Sequence, residues 1–299
     1  MSKTILEYQE AFKKTVDKLK NKEDILGILV FGSIVNGDLW EHSDIDLIVI
    51  EDENLNNEII NVHTEENEVP VHIRLIGKYK FISLCKGDNK GGHMHRLFCS
   101  SKLVFSKDKC IDDLYDEERY YNEFYGRKWT MTYLSQLLKN IAECKKYLHT
   151  ESFYNAYTIA NIAFRNYAKL IVNYRGYMIN RDIVNMAINL DNDLQVIGQD
   201  FFQCKGNLKE SIEKLINYIE WNIENNIKNY SSILIDYMKE LDVSLSSREI
   251  TNSDLFRGYN INMEEVLEKL YSYDIIKKKK RPFLRNDKSI FIEENVYYI

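Results

Sequence analysis

The 299-residue sequence has only two prolines and no long hydrophobic run. A helix needs about 20 apolar residues to span a bilayer, and the apolar runs here are much shorter, so no membrane partner is expected. The N-terminal segment MSKTILEYQEAFKKTVDKLKNK carries charges throughout and lacks the uncharged core of a signal peptide. The sequence therefore predicts a cytoplasmic protein.

Cysteine and histidine are also scarce. The cysteines are odd in number, scattered and without a CxxC pair: Cys85, Cys99, Cys110, Cys144 and Cys204. This usage predicts reduced thiols and argues against a zinc site. His93 and His95 have no acid beside them, and they are predicted to lie in a solvated loop.

The net charge of −6 argues against a surface that is covered overall by nucleic acid, although it leaves local basic patches open. With 44% hydrophobic and 29% charged residues, the composition is that of a folded globular protein. The sequence therefore predicts ordinary buried cores.

The first part of the chain mixes helix and strand patterns. Apolar residues recur at helical spacing over 5–19. Strand-length segments follow at 25–31, 44–50, 68–76 and 101–105. This order predicts an α+β region with a small mixed sheet.

The hydrophobic periodicity of the sequence changes near residue 120. For more than a hundred residues the periodicity is helical, with small residues such as Ala156, Ala160 and Ala163 that suit close helix packing, so a helical bundle is predicted. After residue 241, two short helices precede a polar segment and a final strand, which is the order of a winged helix.

The segment 25-ILGILVFGSIVNGDLWEHSDIDLIVIED-52 carries the clearest chemical signal. Aspartate is depleted in strands, yet Asp44 and Asp46 open one. Residues i and i+2 of a strand share a face, with Cα atoms about 6.6 Å apart, so both carboxylates can reach one divalent cation. Mg²⁺ is commonly held by one or two carboxylates together with substrate phosphates.

Gly32 and Ser33 precede this pair. Glycine allows a close approach of the backbone to a ligand, and the start of a helix exposes N–H groups to an anion. Ser43, directly before Asp44, is assigned to the same nucleotide site. A phosphate cradle beside metal-directed carboxylates is what phosphoryl or nucleotidyl transfer needs.

The pattern FGS, ten residues, then DIDL resembles the signature of the DNA polymerase β-like nucleotidyltransferase superfamily. The resemblance implies that Gly32 and Ser33 contact the triphosphate of an NTP substrate. It also implies that Asp44 and Asp46 are catalytic and bind Mg²⁺, with Mn²⁺ as the alternative ion.

The wider layout is similar to that of Bacillus YgxA-type nucleotidyltransferase-like proteins. This similarity implies an α+β polymerase β-like nucleotidyltransferase domain over 1–119. It further implies an all-α substrate-binding bundle over 120–241 and a C-terminal winged helix over 242–299.

The superfamily commonly carries a third acid on a following strand, and this sequence departs from that pattern. His72 occupies the expected place, and Glu68 lies on the same predicted face about 13 Å away along the strand. His72 can be the general base or simply a hydrogen-bonded strand residue. The alternatives are a base from the helical domain and a site that binds nucleotide with little turnover.

A second feature is the cationic run of Lys277, Lys278, Lys279, Lys280 and Arg281. It is predicted to form a basic wing that contacts RNA or DNA phosphates, or else a solvated hairpin. Two functions therefore compete. One is transfer of NMP to a small molecule, a protein side chain or an RNA end, and the other is a non-catalytic nucleotide- or nucleic-acid-binding regulator.

Overall fold

A computed structural model describes residues 4–52, 58–87, 91–118, 123–203, 206–285 and 287–299. The chain forms two compact units, Met1–Tyr121 and Asn122–Ile299. Across the described ranges, no helix is both long enough and apolar enough to cross a membrane. The predicted boundary at residues 119 and 120 lies outside these ranges, and the division into three domains stays a prediction.

The first unit is α+β. Its helices and strands, in chain order, are α1 Ile5–Lys20, β1 Ile25–Phe31, α2 Ser33–Asn36, β2 Ile45–Glu51, β3 Ile59–Glu66, β4 Val69–Gly77, α3 Lys78–Gly87, α4 His93–Cys99, β5 Lys102–Ser106 and α5 Lys109–Glu118. The described strands form one sheet in the order β3-β4-β2-β1-β5. Strands β2 and β4 are parallel and the other neighbours are antiparallel, so the sheet is mixed, as predicted.

Helices cover both faces of the central strands. One core packs α1, through Tyr8 and Ala11, against one face of β1 and β2. The other core joins Phe81 of α3 and Phe98 of α4 to the opposite face. Burial on both faces explains why β1 and β2 read as continuous apolar runs in the sequence.

The four predicted strands appear within about one residue of their expected bounds, and β3 was not predicted from the sequence. Strand β3 joins β4 through a two-residue turn at Asn67 and Glu68, which have φ values of 50° and 63°. Two positive φ values are typical of a type I′ hairpin turn. Glu68 therefore lies in this turn, and its predicted place within the strand is wrong.

The prediction of a solvated loop at His93 and His95 is also wrong. His93 begins α4, and His95 is only 1% exposed. The helix forms here because its apolar side, with Phe98, packs into the core beneath the sheet. A short histidine pair with no periodic signal around it gave no indication of that packing.

The second unit is mainly helical. Its elements are α6 Glu123–His149, α7 Phe153–Tyr174, α8 Ile183–Leu190, α9 Asn192–Gln203, α10 Leu208–Tyr230, α11 Ser232–Leu241, β6 Leu245–Ser246, α12 Ser247–Thr251, α13 Met263–Ser272, β7 Lys277–Leu284 and β8 Ile290–Tyr298. Helices α6 and α7 pack closely, with Ala156, Ala160 and Ala163 fully buried between larger side chains. The predicted small-residue contact therefore exists.

The C-terminal elements follow the predicted order of two helices and a hairpin. Strand β8 lies between β6 and β7 in a small antiparallel sheet. A capping box starts α12, with Ser246 and Glu249 bonding to each other's backbone N–H. One hydrophobic core runs from Met131 of α6 to Tyr297 of β8, so these elements share a core with the helices before them. Their assignment as a winged helix stays a prediction.

Among the described residues, Cys85, Cys99, Cys110 and Cys144 are free cysteines. Burial raises the pKa of the Cys144 thiol to about 11, so it remains protonated near neutral pH. Cys204 lies outside the described residues.

Candidate active site

Gly32 joins β1 to the single turn of α2, and its backbone requires glycine. Its φ of 80° and ψ of −154° lie in a region that is essentially reserved for glycine. A β-carbon added at Gly32 would meet Oδ2 of Asp46 at 2.7 Å, which is closer than real β-carbons come. The absent side chain therefore makes room for the Asp46 carboxylate.

Asp44, Asp46 and His72 converge next to this turn, near the start of the inner strand β2. Asp46 is the register partner of Phe31 in β1 and of His72 in β4. Nδ1 of His72 lies 2.8 Å from Oδ2 of Asp44 and 4.0 Å from Oδ1 of Asp46. Two predicted carboxylates and the predicted histidine thus form one cluster.

The cluster fits a divalent cation. Each of its three residues offers one ligand atom, and these atoms all lie within 4.8 Å of one another. The side chains are partly open to solvent, with 36% of Asp44, 19% of Asp46 and 40% of His72 exposed. A cation and the phosphates of a substrate can therefore reach these donors together.

Helix α1 holds the loop that carries Asp44 through hydrogen bonds from Tyr8. The buried Tyr8 hydroxyl lies 3.0 Å from the carbonyl oxygen of Trp40 and 2.9 Å from that of Ser43, to which it donates. Burial, and then the nearby charge of Asp44, raise the pKa of Tyr8, so the hydroxyl stays a donor. The loop is therefore held at two points beside the first aspartate.

Ser43 is buried, and its hydroxyl accepts a 3.0 Å hydrogen bond from the backbone N–H of Trp40. This contact closes the turn that leads into Asp44. The nucleotide role assigned to Ser43 stays a prediction. Ser33, in contrast, is half-buried at the start of α2, next to Gly32.

His63 is a neighbour of His72 that was not predicted from the sequence. It is the register partner of His72 across the β3–β4 hairpin, and the two rings meet edge to face with centroids 4.5 Å apart. The segment Glu66-Asn67-Glu68 before β4 indicates a hairpin turn, because asparagine tolerates the positive φ that such a turn needs. Reading that turn would have placed IINVHTEE on a strand beside His72.

Arg74 was also missed. It lies two residues after His72 and therefore projects to the same face of β4. Its guanidinium stands over the ring of Phe31, 5.4 Å from the ring centre. The face that carries the aspartates thus also carries a positive charge.

The predicted basic run forms β7, an edge strand of the C-terminal sheet. Nζ of Lys278 lies 2.9 Å from Glu268, and the guanidinium of Arg281 lies 2.8 Å from Glu249 and 2.7 Å from Glu294. These two cations are therefore engaged in ion pairs.

Lys277, Lys279 and Lys280 are exposed. Lys277 and Lys279 stand over the Tyr298 ring at 6.0 and 5.0 Å. The run thus divides into two cations held by acids and three that face solvent.

Comparison with known proteins identifies the family that the region carrying this site resembles. Residues 13–110 match the polymerase β nucleotidyltransferase family, and this range includes the whole cluster. The fold resembles the crystal structure of a nucleotidyltransferase-like protein from Exiguobacterium sibiricum 255-15, with a TM-score of 0.65 and 15% identity, over 97% of this chain and 99% of that one. At this identity the likeness shows a shared fold alone.

No curated protein matches the chain in sequence. The superfamily prediction is confirmed, and the closer similarity to YgxA-type proteins stays a prediction.

Proposed function

We propose, from the membership of residues 13–110 in the polymerase β-like nucleotidyltransferase superfamily, that this protein transfers NMP from an NTP to a hydroxyl or phosphate acceptor. The observation that carries the proposal is the convergence of Asp44, Asp46 and His72 beside Gly32. A protein that only bound nucleotide would have no need for two carboxylates held this close together. The reaction needs a divalent cation, for which Mg²⁺ and Mn²⁺ are the candidates.

The transfer balances as a single displacement. The acceptor oxygen forms a bond to the α-phosphorus, and the bond from that phosphorus to the bridging oxygen breaks. Pyrophosphate leaves with the electron pair, and the acceptor proton passes to a base or to water. A bound divalent cation neutralises phosphate charge and polarises the phosphoryl oxygens.

The chain's own residues position the reactants. Asp44 and Asp46 would hold the cation, and Gly32 with Ser33 would lie along the triphosphate. Gly32 suits this place because a side chain there would collide with Asp46. Arg74 adds positive charge on the same face, which favours a polyanionic substrate.

The proton acceptor has three candidates. His72 has an imidazole in the cluster, and imidazole suits proton transfer near neutral pH. A carboxylate from the second unit and bulk water are the alternatives. A base contributes about 10²–10⁴ in rate, so a loss of that size in His72→Ala at saturating divalent cation should distinguish the first candidate from the others.

The acceptor is proposed only as a class: a small molecule with a hydroxyl, such as an antibiotic, a protein side chain or an RNA end. The test is incubation of the full chain with each α-³²P NTP, Mg²⁺ or Mn²⁺, and a panel of tRNA, proteins and aminoglycoside- or lincosamide-like hydroxyl compounds. Label that moves to one acceptor with the wild type and not with Asp46→Asn supports transfer. Label that moves with neither protein, under conditions where the wild type binds NTP, removes the enzyme reading.

The alternative function is a nucleotide- or nucleic-acid-binding regulator. The observation in its favour is the exposed set Lys277, Lys279 and Lys280 on β7, in a protein with a net charge of −6. Clustered cations at a strand edge suit a phosphate backbone. Under this hypothesis the first unit binds NTP without turnover, and NTP binding changes the affinity of the protein for nucleic acid.

A further inference from the structure

The strand next to Asp46 presents an imidazole to the two aspartates. His72 and Asp46 are register partners in the parallel pair β2–β4, so their side chains leave the sheet on the same face. The nearer nitrogen of His72, Nδ1, lies within hydrogen-bond distance of Asp44 and 4.0 Å from Asp46. This nitrogen therefore faces the place where a cation shared by both carboxylates would lie.

We infer that His72 is a metal ligand, and that the site takes a first-row transition dication, for which Mn²⁺ is the probe, in preference to Mg²⁺. The inference deepens the proposed function, on which it rests for the identity of the site. It assigns a different metal class from the Mg²⁺ that the sequence resemblance implies.

Ligand chemistry supports this assignment. Mg²⁺ prefers oxygen ligands in a near-ideal octahedron and gives up its water reluctantly. Imidazole nitrogen binds first-row transition ions more readily, because they accept softer donors. A set of two carboxylates and one imidazole therefore raises affinity for Mn²⁺ and its neighbours and gains little for Mg²⁺.

The surroundings of His72 support a fixed ligand. Its backbone is paired on both sides, with β2 and with β3. The ring of His63 meets it edge to face, with the ring planes 82° apart. A ring held in this way presents one nitrogen to the carboxylates, and a ligand held before the ion arrives binds it more tightly.

A general base is placed differently. It must reach the acceptor proton at about 2.6–3.2 Å in a productive complex. The nitrogen nearest the carboxylates would instead lie against the cation that these carboxylates hold. A nitrogen 2.8 Å from Asp44 is therefore placed to share a cation with that carboxylate.

The test measures metal binding directly, with the full chain and without nucleotide. Mn²⁺ is titrated by electron paramagnetic resonance, where the signal of free Mn²⁺ falls as the ion binds, and Mg²⁺ is then added as competitor. Removing even an outer-shell partner costs about 10–100-fold in metal affinity. His72→Ala should therefore weaken Mn²⁺ binding at least tenfold and change Mg²⁺ binding much less.

His72→Asp supplies an all-oxygen donor set and should lower the ratio of Mn²⁺ to Mg²⁺ affinity at least tenfold. His93→Gln is the matched control, because it removes an exposed imidazole at the start of α4, outside the donor set. It should leave that ratio unchanged. Circular dichroism checks that each variant folds, and His72→Asn replaces any variant that does not.

An affinity ratio that is equal in the wild type and in every folded His72 variant overturns the inference. The proposed function fails separately. If Mn²⁺ binds selectively through His72 but no NMP is transferred to any acceptor, the metal inference holds and the proposed transferase activity is wrong. If Mg²⁺ supports NMP transfer equally in the wild type and in His72→Ala, the transferase activity is supported and the metal inference is wrong.

Discussion

A β-carbon on Gly32 would lie 2.7 Å from Oδ2 of Asp46, so the turn after β1 and the carboxylate on β2 fit together only with glycine at that turn. The Gly-Ser pair and the Asp-x-Asp pair are ten residues apart in the sequence, and Gly32 and Asp46 lie next to each other in the fold. The two pairs therefore belong to a single site, in which the turn at Gly32 leaves room for the Asp46 carboxylate.

Gly32→Ala should damage the site more than the fold. The added carbon strains the backbone by about 1–3 kcal/mol and displaces the Asp46 carboxylate. We expect lower stability in urea and loss of Mn²⁺ binding in the resonance titration.

The control is Gly37→Ala. Gly37 also has a positive φ, 82°, but a β-carbon there would meet no atom within 4 Å. It should cost about 1–2 kcal/mol in stability and keep metal binding. Equal metal affinity in Gly32→Ala and the wild type would contradict the proposed contact.

Asp46→Asn should remove the stabilisation that metal and nucleotide provide. At free ligand one hundred times the Kd, the wild type gains about 2.7 kcal/mol in unfolding free energy. The variant should fold without ligand, because it loses one of two neighbouring negative charges, and it should show no metal-dependent shift in melting temperature. Asp38→Asn, an exposed acid in the same loop, should shift as the wild type does. Identical shifts in all three proteins would show that the site is elsewhere.

Tyr8→Phe should loosen the loop that carries Asp44. The change removes the hydroxyl that donates to the carbonyls of Trp40 and Ser43, at a cost of about 1 kcal/mol or more in stability. Since Trp40 belongs to this loop, its fluorescence should report the change in a protein where Trp129 and Trp221 are phenylalanine.

We expect lower Trp40 anisotropy and several-fold weaker binding of Mn²⁺ with NTP in Tyr8→Phe. Tyr79→Phe is the control, because Tyr79 is 75% exposed on α3. An unchanged anisotropy in Tyr8→Phe would mean that other contacts hold the loop.

The Lys78–Asp108 ion pair should make stability depend on pH at both extremes. The Lys78 hydrogen bond lowers the pKa of Asp108 from 3.8, and the same bond raises the pKa of Lys78 from 10.5. The Asp108 contribution is present above its unfolded pKa and is lost as the pH falls through its lower folded value. The Lys78 contribution is present below its unfolded pKa and is lost as the pH rises through its higher folded value.

Urea unfolding of the wild type and Asp108→Asn from pH 2 to 11 tests this dependence. The difference in unfolding free energy should be flat between about pH 5 and 9 and should shrink at both ends. Asp112→Asn, an exposed acid on the following helix, serves as control. A difference that stays constant down to pH 2 would show that the ion pair contributes nothing.

The two buried strands and the Asp-x-Asp pair were predictable from sequence because each rests on a local pattern: continuous apolar burial for β1 and β2, and a two-residue spacing for the acids. The edge strand β3 was not predictable in this way. Almost all of its residues are exposed, so its sequence shows no alternation of buried and exposed positions. His63 could be placed only by recognising the turn at Asn67 and Glu68, and Arg74 only by extending the two-residue spacing from His72. The Tyr8 contact joins residues 32 and 35 positions apart, and only the packing of α1 reveals it.

The final prediction separates the two functional classes through the cations of β7. A strand that binds nucleic acid should lose affinity with salt by about 0.9 log units per log unit of salt for each duplex phosphate neutralised. Replacing Lys277, Lys279 and Lys280 by glutamine should flatten that slope by about two to three units. NTP binding at Asp44 and Asp46 should not change, because those residues belong to the other compact unit.

Lys278→Gln with Arg281→Gln is the informative contrast. Both side chains are held by acids, Lys278 by Glu268 and Arg281 by Glu249 and Glu294. Their loss should lower the stability of the C-terminal sheet and leave the salt slope nearly unchanged, because cations already neutralised by carboxylates release few counterions from a phosphate backbone. If the wild type gives no gel-shift complex with tRNA, single-stranded RNA or duplex DNA at 50 mM salt, the nucleic-acid reading is wrong. A small-molecule or protein acceptor then becomes the better hypothesis.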